Sequence, residues 1–220
     1  MYTITESFGE DVYDQACQAE KIAKWTRNIA RSGGAVSTKQ IMKSCPAIYT
    51  LYQQLLPICR QITGEPNLRL CPKFDQHSCA VYYYKRTNDG CKWHTDKCWY
   101  NGRRYTVLVG IKNTGVTDGH SSSVLEYTLH GRNYIDPILP GDIRLFDDRM
   151  PHMVHPLKEG EHRIVASFTY ITDPTIRPLN RLIMEVKDNY GYFGIPASWI
   201  LVICVLLGAV MTAFFIVVYN

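Results

Sequence analysis

The stretch FDDRMPHMVHPLKEGEHRIVASFTY, residues 146–170, decides how the rest of the chain is read. Its second half is a strand by pattern: Ile164, Ala166 and Phe168 are apolar at alternate positions, and a cation, Arg163, begins the run. Period two puts such residues on one buried face. Ahead of the strand, a turn carries His152, and Lys-Glu-Gly-Glu at 158–161 supplies the Gly of a tight reversal.

The same texture extends backwards to Pro66. Short runs rich in Tyr, Val, Ile and Thr occupy 68–74, 79–85, 103–113, 122–130, 131–139, 142–147 and 163–172. Turn signals at 87–90, 130–133 and 140–142 separate them. About seven short antiparallel strands at this spacing imply a sandwich or jelly roll rather than a parallel βαβ sheet. Two helices are expected before them. The first spans 11–31, with Val12, Ala16, Ala19, Ile22, Ala23 and Trp25 near one side, and is broken by the Ser-Gly-Gly at 32–34. The second opens at Pro46, carries Ile48, Leu51, Leu55, Ile58 and Ile62 as an apolar stripe, and ends at Gly64.

Chemistry enters with Trp-His-Thr-Asp at 93–96. On a strand, His94 and Asp96 would share a face, so an imidazole and a carboxylate could reach one metal ion. A third ligand must come from elsewhere. Thiolates would suggest zinc, and Cys91 and Cys98 flank the pair, but they lack the paired spacing of structural zinc modules. Two histidines and one carboxylate, leaving adjacent coordination sites open, suit an Fe(II) oxygenase. Both His152 and His155 are available as the third ligand.

From about Leu68 to Thr172 the chain resembles the 2-oxoglutarate and Fe(II)-dependent oxygenase superfamily, and within it the prolyl hydroxylase branch. The resemblance rests on Tyr84, a Gly-containing turn at Gly90, the His94/Asp96 pair, Thr106 on the next strand, the Pro-His-x-Val-x-Pro element at 151–156, and Arg163 about ten positions later. It implies a double-stranded β-helix in which His94, Asp96 and His152 hold iron. Arg163 would pair with the distal carboxylate of 2-oxoglutarate, Tyr84 would hydrogen-bond to it, and Thr106 would belong to the same co-substrate site. The implied reaction hydroxylates a substrate with release of succinate and carbon dioxide, using dioxygen, with ascorbate a candidate accessory. A prolyl or other protein side chain is the first substrate expectation. A small or lipid-like molecule, and a catalytically inactive binding module, are the alternatives. The chain departs from the family at His120–Tyr127, where many members have a Gly-rich strand, and at Gly110, where prolyl hydroxylases can place a second tyrosine. Arg103 and Arg104 read as a solvated strand edge, and of the Tyr82–Tyr84 run only Tyr84 is assigned to the site, since alternation turns Tyr83 away.

Composition narrows the setting. A formal net charge of +4 without a long basic run gives little reason to expect nucleic acid. The first fifteen residues lack a signal-peptide pattern, and the eight cysteines lack CxxC pairs, so reduced thiols in the cytosol are expected. From Trp199 to Val218 no residue is charged, and at ~1.5 Å per residue the run covers roughly 30 Å, one bilayer core. Arg177, Arg181 and Lys187 precede it and no Lys or Arg follows, which predicts a single-pass tail anchor with the catalytic domain cytoplasmic. The expected organisation is a helical support at 1–65, a jelly roll at 66–174, a linker at 175–194 and a transmembrane helix at 195–219, making a mainly β protein with flanking helices.

Overall fold

The computed structural model describes residues 1–188 apart from 29, 117 and 118. The apolar run at 199–218 lies outside the described residues, among which no helix is long and apolar enough to cross a membrane. In chain order the elements are β1 (Tyr2–Ile4), α1 (Glu10–Ala19), β2 (Lys24–Arg27), β3 (Arg31–Val36), α2 (Thr38–Ser44), α3 (Pro46–Thr63), β4 (Arg69–Leu70), β5 (Cys79–Tyr84) and β6 (Gly90–His94). There follow β7 (Arg104–Thr114), β8 (Leu125–Leu129), β9 (Arg132–Asp136), β10 (Ile143–Asp147), β11 (His152–Val154), β12 (His162–Ile171) and α4 (Pro178–Lys187).

The expected helix at 11–31 stops at Ala19 instead. Lys24–Arg27 is a strand that pairs with β3 as a hairpin closed by Asn28, whose Oδ1 accepts from the N–H groups of Ala30 (2.9 Å) and Arg31 (2.8 Å). A tertiary ladder outcompetes weak helical periodicity here, and the Asn is the local turn signal. The second helix forms as its sequence predicts. Pro46 occupies its first turn, and Gly64 caps it in the left-handed region (φ 69°), its N–H donating to the carbonyl of Arg60. Within the expected linker, Pro178–Lys187 form a short helix.

All strand pairings are antiparallel, and they join in the order β1-β10-β7-β12-β5-β3-β6-β11-β8-β9, with β2 on β3 and β4 on β12. This one sheet curls into two leaves at β3. Gly34–Val36 pair with β5, whereas Arg31 and Ser32 pair with β6. Gly33 sits at the bend with φ +148°, and a Cβ there would lie 2.8 Å from the carbonyl oxygen of Tyr83. Only Gly fits so close an approach at that dihedral. The result is a mainly β, jelly-roll-like body with helices on one side.

The outer face of the larger leaf is covered by α1, α2 and α3. Ile164, Ala166, Phe168 and Tyr170 of β12, with Val107 and Val109 of β7 and Val81 and Tyr83 of β5, pack there against Leu51, Tyr52 and Leu55. Three tyrosine hydroxyls buried in this layer are satisfied: Tyr83 donates to the carbonyl of Ala16 (2.8 Å), Tyr52 to that of Thr169 (2.7 Å) and Tyr170 to that of Tyr52 (2.7 Å). A second cluster lies between the leaves and includes Tyr84, Leu108, Leu125, Phe146 and Val165. The candidate site opens into this second layer.

Candidate active site

His94 ends β6 and His152 begins β11, and the two are cross-strand partners with ring centroids 4.2 Å apart. Strand pairing, rather than the expected turn, therefore places His152. Asp96 lies beyond the end of β6, so it does not share a strand face with His94. It is returned to the pair by β7, where the Thr106 hydroxyl donates to Asp96 Oδ2 at 2.7 Å. Ligand atoms of His94, Asp96 and His152 all fall within 4.8 Å of one another, a spacing that suits one metal ion.

Each histidine is oriented from behind. Nδ1 of His94 is 2.7 Å from the carbonyl oxygen of Lys92, and Nδ1 of His152 is 2.9 Å from that of Met150. A carbonyl can only accept, so each Nδ1 carries the proton and each Nε2 is left with its lone pair for a ligand. Burial works to raise the Asp96 carboxyl, but Arg104, His152 and the Thr106 hydroxyl outweigh it and hold its pKa at about 2. The carboxylate is charged at neutral pH.

At the other end of the same cavity lies Arg163, on β12 between Tyr84 of β5 and Asn113 of β7. It is 1% exposed, and its Nε and both terminal nitrogens have no hydrogen-bond partner among the described residues. The Tyr84 ring lies 5.4 Å from its guanidinium carbon. Burial lowers the Arg163 pKa, with Tyr84 and Asp136 acting in opposition. A buried guanidinium with no acceptor is costly unless an anion arrives to fill its fork. The cavity of about 90 Å³ that joins this cation to His94, Asp96 and His152 also exposes Thr106, Leu108 and Val165.

His155 lies outside the metal cluster; its Nε2 is 2.7 Å from Glu126 Oε2. Neither Cys91 nor Cys98 belongs to the cluster, although Cys91 Sγ lies 3.6 Å from His94 Nδ1. Gly110 is a packing requirement, since a Cβ there would stand 2.0 Å from the carbonyl oxygen of Leu139. Arg103 is the solvated edge residue expected, paired with Glu65 (2.6 Å) and Asp147 (2.9 Å). Arg104 corrects that expectation. Its side chain is 16% exposed, lines the cavity, and donates to the carbonyl of Lys97 (3.0 Å) and the hydroxyl of Thr169 (3.2 Å). Parity could have found it, because Arg104 shares a strand face with Thr106. Arg31 and Tyr82 also line the cavity, with the Arg31 guanidinium 4.1 Å from the Tyr82 ring centroid. Arg31 was hidden inside the over-long helix.

No family model matches the chain, and no curated protein is similar to it. Solved structures do match. A Pseudomonas putida prolyl-4-hydroxylase aligns at 14% identity and TM-score 0.58, over 77% of this chain and 90% of its own. A Trichoplax adhaerens prolyl hydroxylase, solved with a peptide fragment of the hypoxia inducible factor oxygen degradation domain, aligns at 16% and 0.58, over 83% and 86%. The epimerase SnoN, in complex with Fe3+, alpha ketoglutarate and nogalamycin RO, aligns at 14% and 0.57, over 86% and 84%. The chain has the fold of the 2-oxoglutarate and Fe(II)-dependent oxygenases, in its prolyl-hydroxylase-like form.

Proposed function

We propose that the chain is a 2-oxoglutarate- and Fe(II)-dependent oxygenase that hydroxylates its substrate with release of succinate and carbon dioxide. The observation that carries this is Arg163, a fully buried guanidinium without an acceptor, at the closed end of a cavity that also holds His94, Asp96 and His152. Such a cation calls for a carboxylate, and the cluster for a divalent ion. His94, Asp96 and His152 would hold Fe(II), which together with 2-oxoglutarate supplies the activation of dioxygen and the oxidation of a carbon–hydrogen bond.

The chain's own residues do the rest. Arg163 fixes the depth and orientation of the distal carboxylate through paired N–H donors, and the Tyr84 ring walls that end. Thr106 spends its proton on Asp96, so its role is to aim a ligand rather than to bind the co-substrate directly. A protein side chain, with proline first, is the preferred substrate, because a peptide is bound in one of the fold's relatives. We further propose that the run at 199–218 holds the enzyme at a membrane with its catalytic domain on the cytoplasmic side; extraction of the full chain by alkaline carbonate would overturn this.

The decisive test is turnover of 2-oxoglutarate by the purified full chain with Fe(II). Arg163→Met is expected to abolish 2-oxoglutarate binding while iron still binds; equal loss of both would remove the assigned role of Arg163.

A further inference from the structure

Helix α4 carries its polar face inward and its apolar face outward. At about 100° per residue, Leu179, Leu182, Ile183 and Val186 share one arc roughly 100° wide, and Arg181, Met184 and Asp188 share the opposite one. Contacts show which arc meets the body. Met184 is buried, Asp188 Oδ1 lies 3.1 Å from His77 Nε2, and the Arg181 guanidinium carbon lies 4.4 Å from the Phe74 ring centroid. The aliphatic arc therefore points away, with Leu179 66%, Leu182 58%, Ile183 43% and Val186 56% exposed. A surface helix normally does the reverse. Four aliphatic side chains aligned along one short helix mark an interaction surface.

The course of the chain argues for what covers that surface. Trp199, the first residue of the run proposed above to lie in a membrane, is eleven residues beyond Asp188, a reach of at most ~40 Å even if fully extended. With that run in a bilayer, α4 cannot leave the neighbourhood of the lipid surface. The ends of the helix suit such a surface. Arg177 is exposed at its N-cap and Lys187 is its last residue, and each cation near an anionic leaflet adds to the attraction. A second copy fits less well. The aliphatic arc offers a few hundred Å², short of the ~800 Å² that each partner contributes to a standard interface.

We infer that α4 is a lipid-docking helix, whose Leu179, Leu182, Ile183 and Val186 face lies in the interfacial layer of an anionic bilayer. This rests on the membrane reading of the run at 199–218. The consequence reaches the site, because Met184 and Asp188, on the inward arc, line a groove of about 280 Å³ that His94 and Asp96 also line. One wall of this route to the metal cluster is then held at the membrane surface.

The test places the photoreactive residue p-benzoylphenylalanine at position 182 of the full chain, in phosphatidylcholine vesicles containing phosphatidylserine, and identifies its adducts by mass spectrometry. Position 135 on β9 is the control, since Ile135 is 65% exposed and apolar. After illumination, Leu182→p-benzoylphenylalanine should carry phospholipid about tenfold more often than Ile135→p-benzoylphenylalanine, as a residue seated at the acyl boundary requires. The same probe at Leu179 should lose its lipid label about tenfold when Leu182→Glu and Val186→Glu are introduced, because two carboxylates lift the face out of the lipid. Adducts from position 182 to a second copy, or to residues 199–218, would name a different occupant and overturn the inference. Lipid labelling no higher than at position 135 would overturn it too. Alkaline carbonate separates the two readings: a chain that resists extraction yet carries no lipid at position 182 sinks the docking of α4 alone, whereas an extracted chain sinks the anchor and the docking with it.

Discussion

Strand β12 shows its two faces to two different environments. Ile164, Ala166, Phe168 and Tyr170 meet the helices, and Arg163, Val165 and Ser167 meet the cavity. Burial does not separate the two faces, since Arg163 is 1% and Phe168 0% exposed. Completeness does. The helix face is closed, with apolar groups in contact and hydroxyls donating to carbonyls; the cavity face leaves a guanidinium without an acceptor. One face is finished by folding, and the other is finished by a ligand.

If that contrast is right, substitutions on the two sides must fail differently. His94→Ala, at a half-buried position, should lower iron affinity and 2-oxoglutarate turnover by more than about 100-fold, since even indirect partners of a ligand are worth 10–100-fold. Its thermal midpoint without metal should barely move. Phe168→Ala should do the reverse, costing about 3–5 kcal/mol in the denaturant midpoint, because a filled site against Tyr52 cannot collapse. A Phe168→Ala chain as stable as its parent would break the comparison.

Arg163 tests the same idea with opposite signs on stability and binding. Without ligand, Arg163→Met removes a desolvated charge and should leave the chain as stable or more so. The parent, but not this variant, should gain about 2.7 kcal/mol when 2-oxoglutarate is supplied at roughly 100 times its dissociation constant. Chemical denaturation with and without 2-oxoglutarate reads both effects. Destabilisation of the ligand-free variant by several kcal/mol would mean that Arg163 is structural.

Legibility followed locality. The alternation of β12 and the stripe of α3 between Pro46 and Gly64 depend on neighbours in sequence, and both could be read directly. The sequence reading also pointed to His94, Asp96, His152, Arg163, Tyr84 and Thr106, and the fold gathers all six around one cavity. What could not be read depends on distant partners. Strand β2 and Arg31, the first residue of β3, looked like the end of a helix and Ser-Gly-Gly at 32–34 like its break, because the strand character of this segment comes from pairing between β2 and β3 and of β3 with β5 and β6; so the places of Arg31 and of the corner at Gly33 were missed. Asp96 was assigned by strand alternation, whereas a hydrogen bond from Thr106, ten residues on, brings it to the histidines. Arg104 was misread for a different reason: its parity was visible, but an arginine beside Arg103 looked like an edge.

Thr106 gives the finest cut through the comparison, since it sits on the cavity face yet completes a contact within the protein. Thr106→Val keeps the side chain's shape and removes the donor to Asp96, so metal affinity should fall about tenfold with little change in 2-oxoglutarate affinity at saturating metal. The same bond helps to hold the Asp96 carboxyl at about 2, below the unfolded value near 4. A depressed carboxylate stabilises the fold above its unfolded pKa, and that contribution is lost as pH falls through the folded one. The metal-free parent should therefore lose roughly 2 kcal/mol from this group between about pH 4 and 2. In Thr106→Val the Asp96 pKa rises toward its unfolded value, so the loss should be smaller and should be complete at a higher pH, its onset near pH 4 unchanged. If metal affinity and the acid limb are both unmoved, Arg104 and His152 alone position Asp96; if 2-oxoglutarate affinity falls instead, Thr106 binds the co-substrate directly.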